Sequence, residues 1–251
     1  MTLAEYYNFP AGTNCFMRYF SRETEILEQD IPQTISLERF FSYIGGMNSI
    51  PDFINCKATN LSYFAHSTSV YTFDGLETLD TSEVTDFSYL CNSSQLRNTD
   101  AIKNWNTSSA TNMKYMFPSS LVVLDVNWDT SKVTDMNQMV AYDNLRSLCA
   151  LDCSSVAQNK YPFTSYSDMK YFTDAGGFIN MKSSWTNNGL IRCPNLTYQS
   201  CINILNGLYN FEGHGETPSS SQGKLKVHAN FLSLVGDEIS IGTNKGWTIT
   251  T

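Results

Sequence analysis

Apolar residues recur through the middle of the chain in a fixed phrase: Asp or Asn, an apolar residue, two further residues, and a second apolar residue. The phrase reads Thr-Asn-Leu-Ser-Tyr-Phe at 59–64, Thr-Asp-Phe-Ser-Tyr-Leu at 85–90, Thr-Asn-Met-Lys-Tyr-Met at 111–116, Thr-Asp-Met-Asn-Gln-Met at 134–139 and Ser-Asp-Met-Lys-Tyr-Phe at 167–172. A weaker copy, Ser-Leu-Glu-Arg-Phe, stands at 36–40. Asn60, Asp86, Asn112, Asp135 and Asp168 are spaced by 26, 26, 23 and 33 residues, with 153–167 as an insertion, a period that belongs to stacked repeats. Each copy follows a second phrase, clearest from Leu121 to Thr134. There Leu124 and Val126 alternate with Asp125 as in a short strand, and Trp128-Asp129-Thr130-Ser131 reads as a turn. Asp86, Asn112, Asp135 and Asp168 fall where an N-cap belongs, ahead of one helical turn whose apolar residues at +1 and +4 face inward. The unit expected is strand, turn and short helix. About six copies would stack into an α/β solenoid, leucine-rich-repeat-like, because no single copy can bury its own apolar face.

The pattern divides the chain in three. Residues 1–35, rich in aromatics and fitting no copy, are expected to form an irregular N-terminal cap or attachment segment, 36–189 the solenoid, and 190–251 a C-terminal capping segment. In the last, 195–209 reads as an amphipathic helix with Ile202, Leu205 and Leu208 inward, and 224–228 as an edge strand. A final helix is expected over 237–246, with Gly246 at its end, leading into a strand at 247–250.

Composition narrows what such a scaffold does. Of 251 residues only 16% are charged, with a formal net charge of −8, while Ser, Thr and Asn together number 76. The shortage of Lys and Arg argues against a nucleic-acid partner, since phosphate neutralisation dominates that affinity. No run approaches the roughly 18 apolar residues of a membrane span. Residues 1–12 lack the basic and apolar regions of an export signal, so a chain that is neither inserted nor exported is expected. The seven cysteines form no Cys-x-x-Cys pair and are expected to be reduced core residues, a Cys149–Cys153 or Cys193–Cys201 bridge being the alternative.

Candidate chemistry is sparse. His66, His214 and His228 lie in separate segments without metal-ligand spacing, and neither a nucleophile triad nor a phosphate-binding loop is present. Asp80, Asp125, Asp129 and Asp135 recur once per copy, which points to turn closure rather than to a glycosidase acid pair. No enzyme activity and no cofactor are therefore expected. Two surfaces are binding candidates. Tyr63, Tyr89, Tyr115 and Tyr171 hold one place in successive copies and would align as a column suited to sugar rings, or else pack against the next copy. Val122, Val123 and Ile179 would stand on outward strand positions near Arg97, Asp125 and Arg146, a mixed patch suited to another chain or left exposed by chance.

The phrase Trp-Asp-Thr-Ser-Lys-Val-Thr-Asp-Met at 128–136 resembles the repeat of the BspA-like leucine-rich-repeat surface proteins, with the likeness running over about 36–185. The ending, Leu-Thr-Tyr-Gln-Ser-Cys-Ile-Asn-Ile-Leu-Asn-Gly-Leu at 196–208 and Asp-Glu-Ile-Ser-Ile-Gly-Thr-Asn-Lys-Gly-Trp-Thr-Ile at 237–249, is similar to the C-terminal cap of leucine-rich-repeat proteins in bacteriophage tail and virion modules. Gln138 where other copies have tyrosine, and Leu79 where others have tryptophan, depart from the repeat. Together these resemblances imply a virion protein of a tail, baseplate or fibre. It would contribute host-surface recognition, with other virion proteins or a bacterial surface glycan or protein as partner. The rival they imply is a bacterial adhesin at the cell surface binding host or community glycoproteins.

Overall fold

The computed structural model describes residues 34–43, 50, 52–117, 121–140, 144–163, 168–187 and 189–251, together with the backbone of β1 (Cys15–Phe20) and β2 (Ile26–Ile31). The reading of 1–35 as an irregular cap lies largely outside these residues. The remaining strands are short: β3 (Thr34–Ser36), β4 (Asp52–Ile54), β5 (Lys57–Asn60), β6 (Val123–Leu124), β7 (Ser147–Leu148), β8 (Leu151–Asp152), β9 (Asp174–Ala175), β10 (Phe178–Ile179), β11 (Lys224–Lys226) and β12 (Thr248–Thr250). They form small separate sheets. β2–β1–β4 is antiparallel, while β3–β5, β6–β7–β9, β8–β10 and β11–β12 are parallel. Among the described residues, α-helix is confined to the C-terminal segment, as α1 (Tyr198–Gly207), α2 (Ala229–Val235) and α3 (Ser240–Thr243).

This architecture overturns the expected α/β solenoid of strand–turn–helix repeats: the strands are scattered over small sheets, and the described copies contain no α-helix. The reason is local. The oxygens of Asn60, Asp86, Asn112 and Asp135 do not cap a helix but accept from the backbone N–H two residues on, at Ser62 (2.8 Å), Ser88 (2.8 Å), Lys114 (3.2 Å) and Asn137 (2.9 Å). These are Asx turns. The next residue then takes the left-handed conformation, with φ of 56° at Tyr63, 56° at Tyr89, 51° at Tyr115 and 53° at Gln138. One left-handed residue breaks the run of right-handed dihedrals that a helix needs. The chain instead reverses through tight turns such as Leu90 N–H to the Phe87 carbonyl (3.2 Å) and Met139 to Met136 (2.8 Å).

Successive copies are joined backbone to backbone at alternate residues. Leu61, Tyr63 and Ala65 donate to the Asp86, Ser88 and Leu90 carbonyls; Phe87, Tyr89 and Cys91 donate to Asn112, Lys114 and Met116; Met113, Tyr115 and Phe117 donate to Asp135, Asn137 and Met139. The weak copy takes part, with Arg39 donating to the Ser62 carbonyl (3.0 Å). So does the described part of the supposed insertion, whose Lys160 and Pro162 carbonyls accept from Met136 (2.9 Å) and Val140 (3.0 Å).

The Trp-x-Thr-Ser edge is bound differently. Asp80, Asn106, Asp129 and Asp152 again accept from the amide two residues on, at Ser82, Ser108, Ser131 and Ser154. The Thr81, Thr107 and Thr130 hydroxyls point inward and donate to the next copy's Asn106, Asp129 and Asp152 carbonyls at 2.9 to 3.0 Å. The Trp105 and Trp128 indoles reach back to the Leu76 and Ile102 carbonyls. Between the edges lies one continuous core from Ile35 to Trp247, including Phe64, Phe87, Leu90, Met113, Met116, Met136 and Met139. Cys91, Cys149, Cys153, Cys193 and Cys201 are free, so neither alternative bridge forms. Burial pushes their thiols up, which keeps them unreactive. Cys56, in contrast, is disulfide-bonded and departs from the reduced state expected.

The C-terminal segment follows its sequence more closely. Thr197 caps α1 by accepting from Ser200 (3.3 Å), and Leu205 and Leu208 are buried, although Ile204 takes the buried place that Ile202 only half fills. Lys245 closes the other end of α1, its Nζ donating to the Leu205, Asn206 and Leu208 carbonyls, where the helix dipole favours a cation. The expected helix over 237–246 is instead a 3₁₀ turn at Gly236–Ile239 followed by α3. Helix α2 was not expected, because its N-cap is an unusual one: His228 Nδ1 accepts from Asn230 N–H (3.1 Å).

Candidate functional site: a stacked tyrosine row

The left-handed turns bring Tyr63, Tyr89 and Tyr115 into a column. Ring centroids of Tyr63 and Tyr89 are 4.4 Å apart with planes 6° from parallel, and those of Tyr89 and Tyr115 are 4.9 Å apart at 16°. The same place in the weak copy belongs to Arg39, also left-handed (φ 55°), whose guanidinium carbon lies 4.2 Å from the Tyr63 ring centroid, a cation–π contact that continues the stack. Gln138 holds the same left-handed place one copy beyond Tyr115. All three tyrosines are half-buried.

His66 stands behind the row, edge-on to Tyr63 (5.3 Å), Tyr89 (6.1 Å) and Tyr43 (5.3 Å). Its Nδ1 is buried without a hydrogen-bond partner. Burial lowers its pKa below the ordinary 6.5, and the Arg39 charge adds to this against an opposing hydrogen bond with the Asn92 backbone. The imidazole is therefore neutral at pH 7. Burial foremost, then the adjoining Tyr63 and Tyr115 phenols, pushes the Tyr89 phenol up, so Tyr89 presents a neutral hydroxyl able both to donate and to accept.

The backbone does not explain why tyrosine stands here. A bulky residue with positive φ costs on the order of 1–3 kcal/mol, and Asn or Gly meets the same turn with less strain. Three successive tyrosines thus keep their rings in spite of the turn they occupy, which marks the side chain as the part that matters.

The other expected site residues are placed apart. Tyr171 is 57% exposed, does not adopt the left-handed conformation and makes no ring contact with the column; its copy bonds elsewhere, Met169 N–H donating to the Arg192 carbonyl (2.7 Å). Of the outward strand positions, Val122, Val123 and Arg146 are brought together, Arg146 N–H donating to the Val122 carbonyl (2.8 Å) and Val123 pairing with Ser147. Asp125 is neutralised by Lys103. Arg97 N–H donates to the Tyr71 carbonyl, and Ile179 lies on β10, in another sheet. Sequence reasoning missed Arg39, Tyr43 and His66. Arg39 was legible in principle, since Ser36-Leu-Glu-Arg-Phe aligns with Asn60-Leu-Ser-Tyr-Phe. Among the described residues no group of three or more His, Cys, Asp or Glu is placed to hold a metal ion, and no helix is long and apolar enough to cross a membrane.

Residues 59–176 match the family described as Mycoplasma protein of unknown function, DUF285. The matched stretch holds the whole tyrosine column and both kinds of turn, and it is consistent with the BspA-like surface-repeat resemblance of these copies. No curated protein and no solved structure matches the chain.

Proposed function

We propose that the protein is a non-enzymatic surface-recognition module that engages a macromolecule along the Arg39–Tyr63–Tyr89–Tyr115 edge. The observation that carries this reading is the retention of three tyrosine rings, in register and half-exposed, at backbone positions that disfavour them. The repeated carboxylates support a non-catalytic role: Asp80 and Asp129 are occupied by turn amides, while Asp125 and Asp135 pair with Lys103 and Lys160. The match over 59–176 favours a BspA-like surface setting with a cell-surface glycan or protein as partner. A bacteriophage tail, baseplate or fibre is the second setting, carried by the resemblance of 196–208 and 237–249, with other virion subunits as additional partners.

The test is binding of the labelled protein to a panel of intact bacteria, with soluble envelope extracts as competitors and a Tyr89→Ala/Tyr115→Ala variant checked for folding. Strain-selective, competable binding that the folded variant lacks is the expected result. Absence of binding to every strain contradicts surface recognition. Mass spectrometry of purified virions and of washed, prophage-free cells separates the two settings.

A further inference from the structure

Stacking decides what the tyrosine edge can offer, and the inference drawn from it rests on the recognition reading above. An isolated aromatic side chain receives a sugar on its ring face. Here both faces of Tyr63 and Tyr89 and one face of Tyr115 are taken: Tyr89 lies between Tyr63 and Tyr115, and Tyr63 between Tyr89 and the Arg39 guanidinium. A ligand meets ring edges and phenol oxygens, repeated every 4.4 to 4.9 Å.

That repeat discriminates among linear polymers. An extended polypeptide advances about 3.3 Å per residue and returns to the same side only after about 6.6 Å, so it loses register with the row within two copies. A nucleic acid would bring phosphates to a chain of net charge −8. A glycan of pyranoses linked through equatorial positions is extended, advances by about one ring length per sugar, and carries hydroxyls along its edge at each step. It satisfies both the spacing and the donor–acceptor character of neutral phenols.

We propose that Tyr63, Tyr89 and Tyr115 form a subsite for an extended, equatorially linked glycan, one sugar per copy, held edge-on by hydrogen bonds to the phenol hydroxyls rather than by stacking on ring faces. The exposed Arg39 guanidinium lengthens the row of donors by one copy.

The experiment is calorimetric titration of the full chain with pentamers of β-1,4-linked glucose and of β-1,4-linked N-acetylglucosamine, against a coiled α-1,4-linked glucan pentamer. The key variant is Tyr89→Phe/Tyr115→Phe, which keeps both rings and removes both hydroxyls. At least one β-linked pentamer is expected to bind, the α-linked one to bind at least tenfold more weakly, and the double Phe variant to lose about tenfold or more in affinity with its melting temperature unchanged. Equal binding by the Phe variant overturns hydroxyl recognition, and equal binding of the α-linked glucan overturns the spacing argument. If neither β-linked pentamer binds while intact cells still capture the protein, the glycan assignment fails and the recognition reading stands; if cells do not capture it, both fail.

Discussion

The two turn-bearing edges of each copy share one device and differ in the residues placed after it. Both open with an Asp or Asn whose side-chain oxygen holds the amide two residues on. On the Trp-x-Thr-Ser edge the next residue is a threonine at most 1% exposed (Thr81, Thr107, Thr130), whose hydroxyl is consumed by the neighbouring copy's carbonyl. On the other edge the third residue is left-handed, and the half-exposed tyrosines placed there stack on one another, with Arg39 and His66 against them. Equal periodicity therefore does not mean equal purpose. One edge is closed to solvent by hydrogen bonds between copies, and the other carries backbone strain while keeping an aromatic group at the surface.

Substitutions should separate the two edges. The largest effect is expected at Trp105→Ala, which empties a buried site and removes the donor to the Leu76 carbonyl; a loss of about 3–5 kcal/mol in denaturant unfolding is expected. Thr107→Val keeps the shape but orphans the Asp129 carbonyl, and should cost about 1–3 kcal/mol. On the tyrosine edge, Tyr89→Phe should shift stability by less than about 0.5 kcal/mol. If Tyr89→Phe proved as costly as Thr107→Val, the tyrosine edge would be structural in the same sense as the threonine edge.

Acid should separate them as well, with a smaller effect. His66 has a folded pKa below 6.5, so as pH falls past 6.5 the unfolded chain takes up the proton first. Stability attached to the tyrosine edge is then complete above 6.5 and declines as pH drops toward the folded value. Hydrogen bonds from Ser82 and Ser131 hold the Asp80 and Asp129 carboxyls below the ordinary 3.8, so the threonine edge keeps their contribution until pH falls below about 4 and through the folded values. A His66→Phe variant should flatten the unfolding profile as pH falls below 6.5, where the wild-type chain begins to lose the contribution of the neutral imidazole. An unchanged profile would show that His66 does not titrate against the row.

Much of this comparison was legible in the sequence. Asn60, Asp86, Asn112 and Asp135 announced the copies, Trp128 to Ser131 a turn, and 195–209 the helix that the structure places at Tyr198–Gly207. The conformation after the Asp or Asn was not, because an N-capped helical turn and an Asx turn with a left-handed residue behind it demand the same Asp/Asn and the same apolar residues at +1 and +4. The second is the one found, and backbone bonds between copies, such as Tyr89 N–H to the Lys114 carbonyl, accompany it. The periodicity offered four tyrosines either as a column for sugar rings or as packing against the next copy; three stack on one another across copies, and Tyr171, in a copy bonded to Arg192 rather than to the column, stands apart. The segment 153–167 looked like an insertion because it lacks the Asp/Asn phrase, yet Lys160 and Pro162 bond to Met136 and Val140 through backbone atoms that leave no mark in the sequence. His228 as an N-cap was hidden for a similar reason, since its acceptor nitrogen is rarely used so.

If the tyrosine edge is the surface that meets a partner, its ring environments must change when the partner binds. The most direct test is NMR of the protein labelled at the tyrosine ζ carbons, titrated with envelope extract from a strain that captures it. Shift changes confined to Tyr63, Tyr89 and Tyr115 are expected, with Tyr171 and Tyr198 unmoved. Changes at Tyr171 or Tyr198 with the stacked three unmoved would contradict a binding role for the edge.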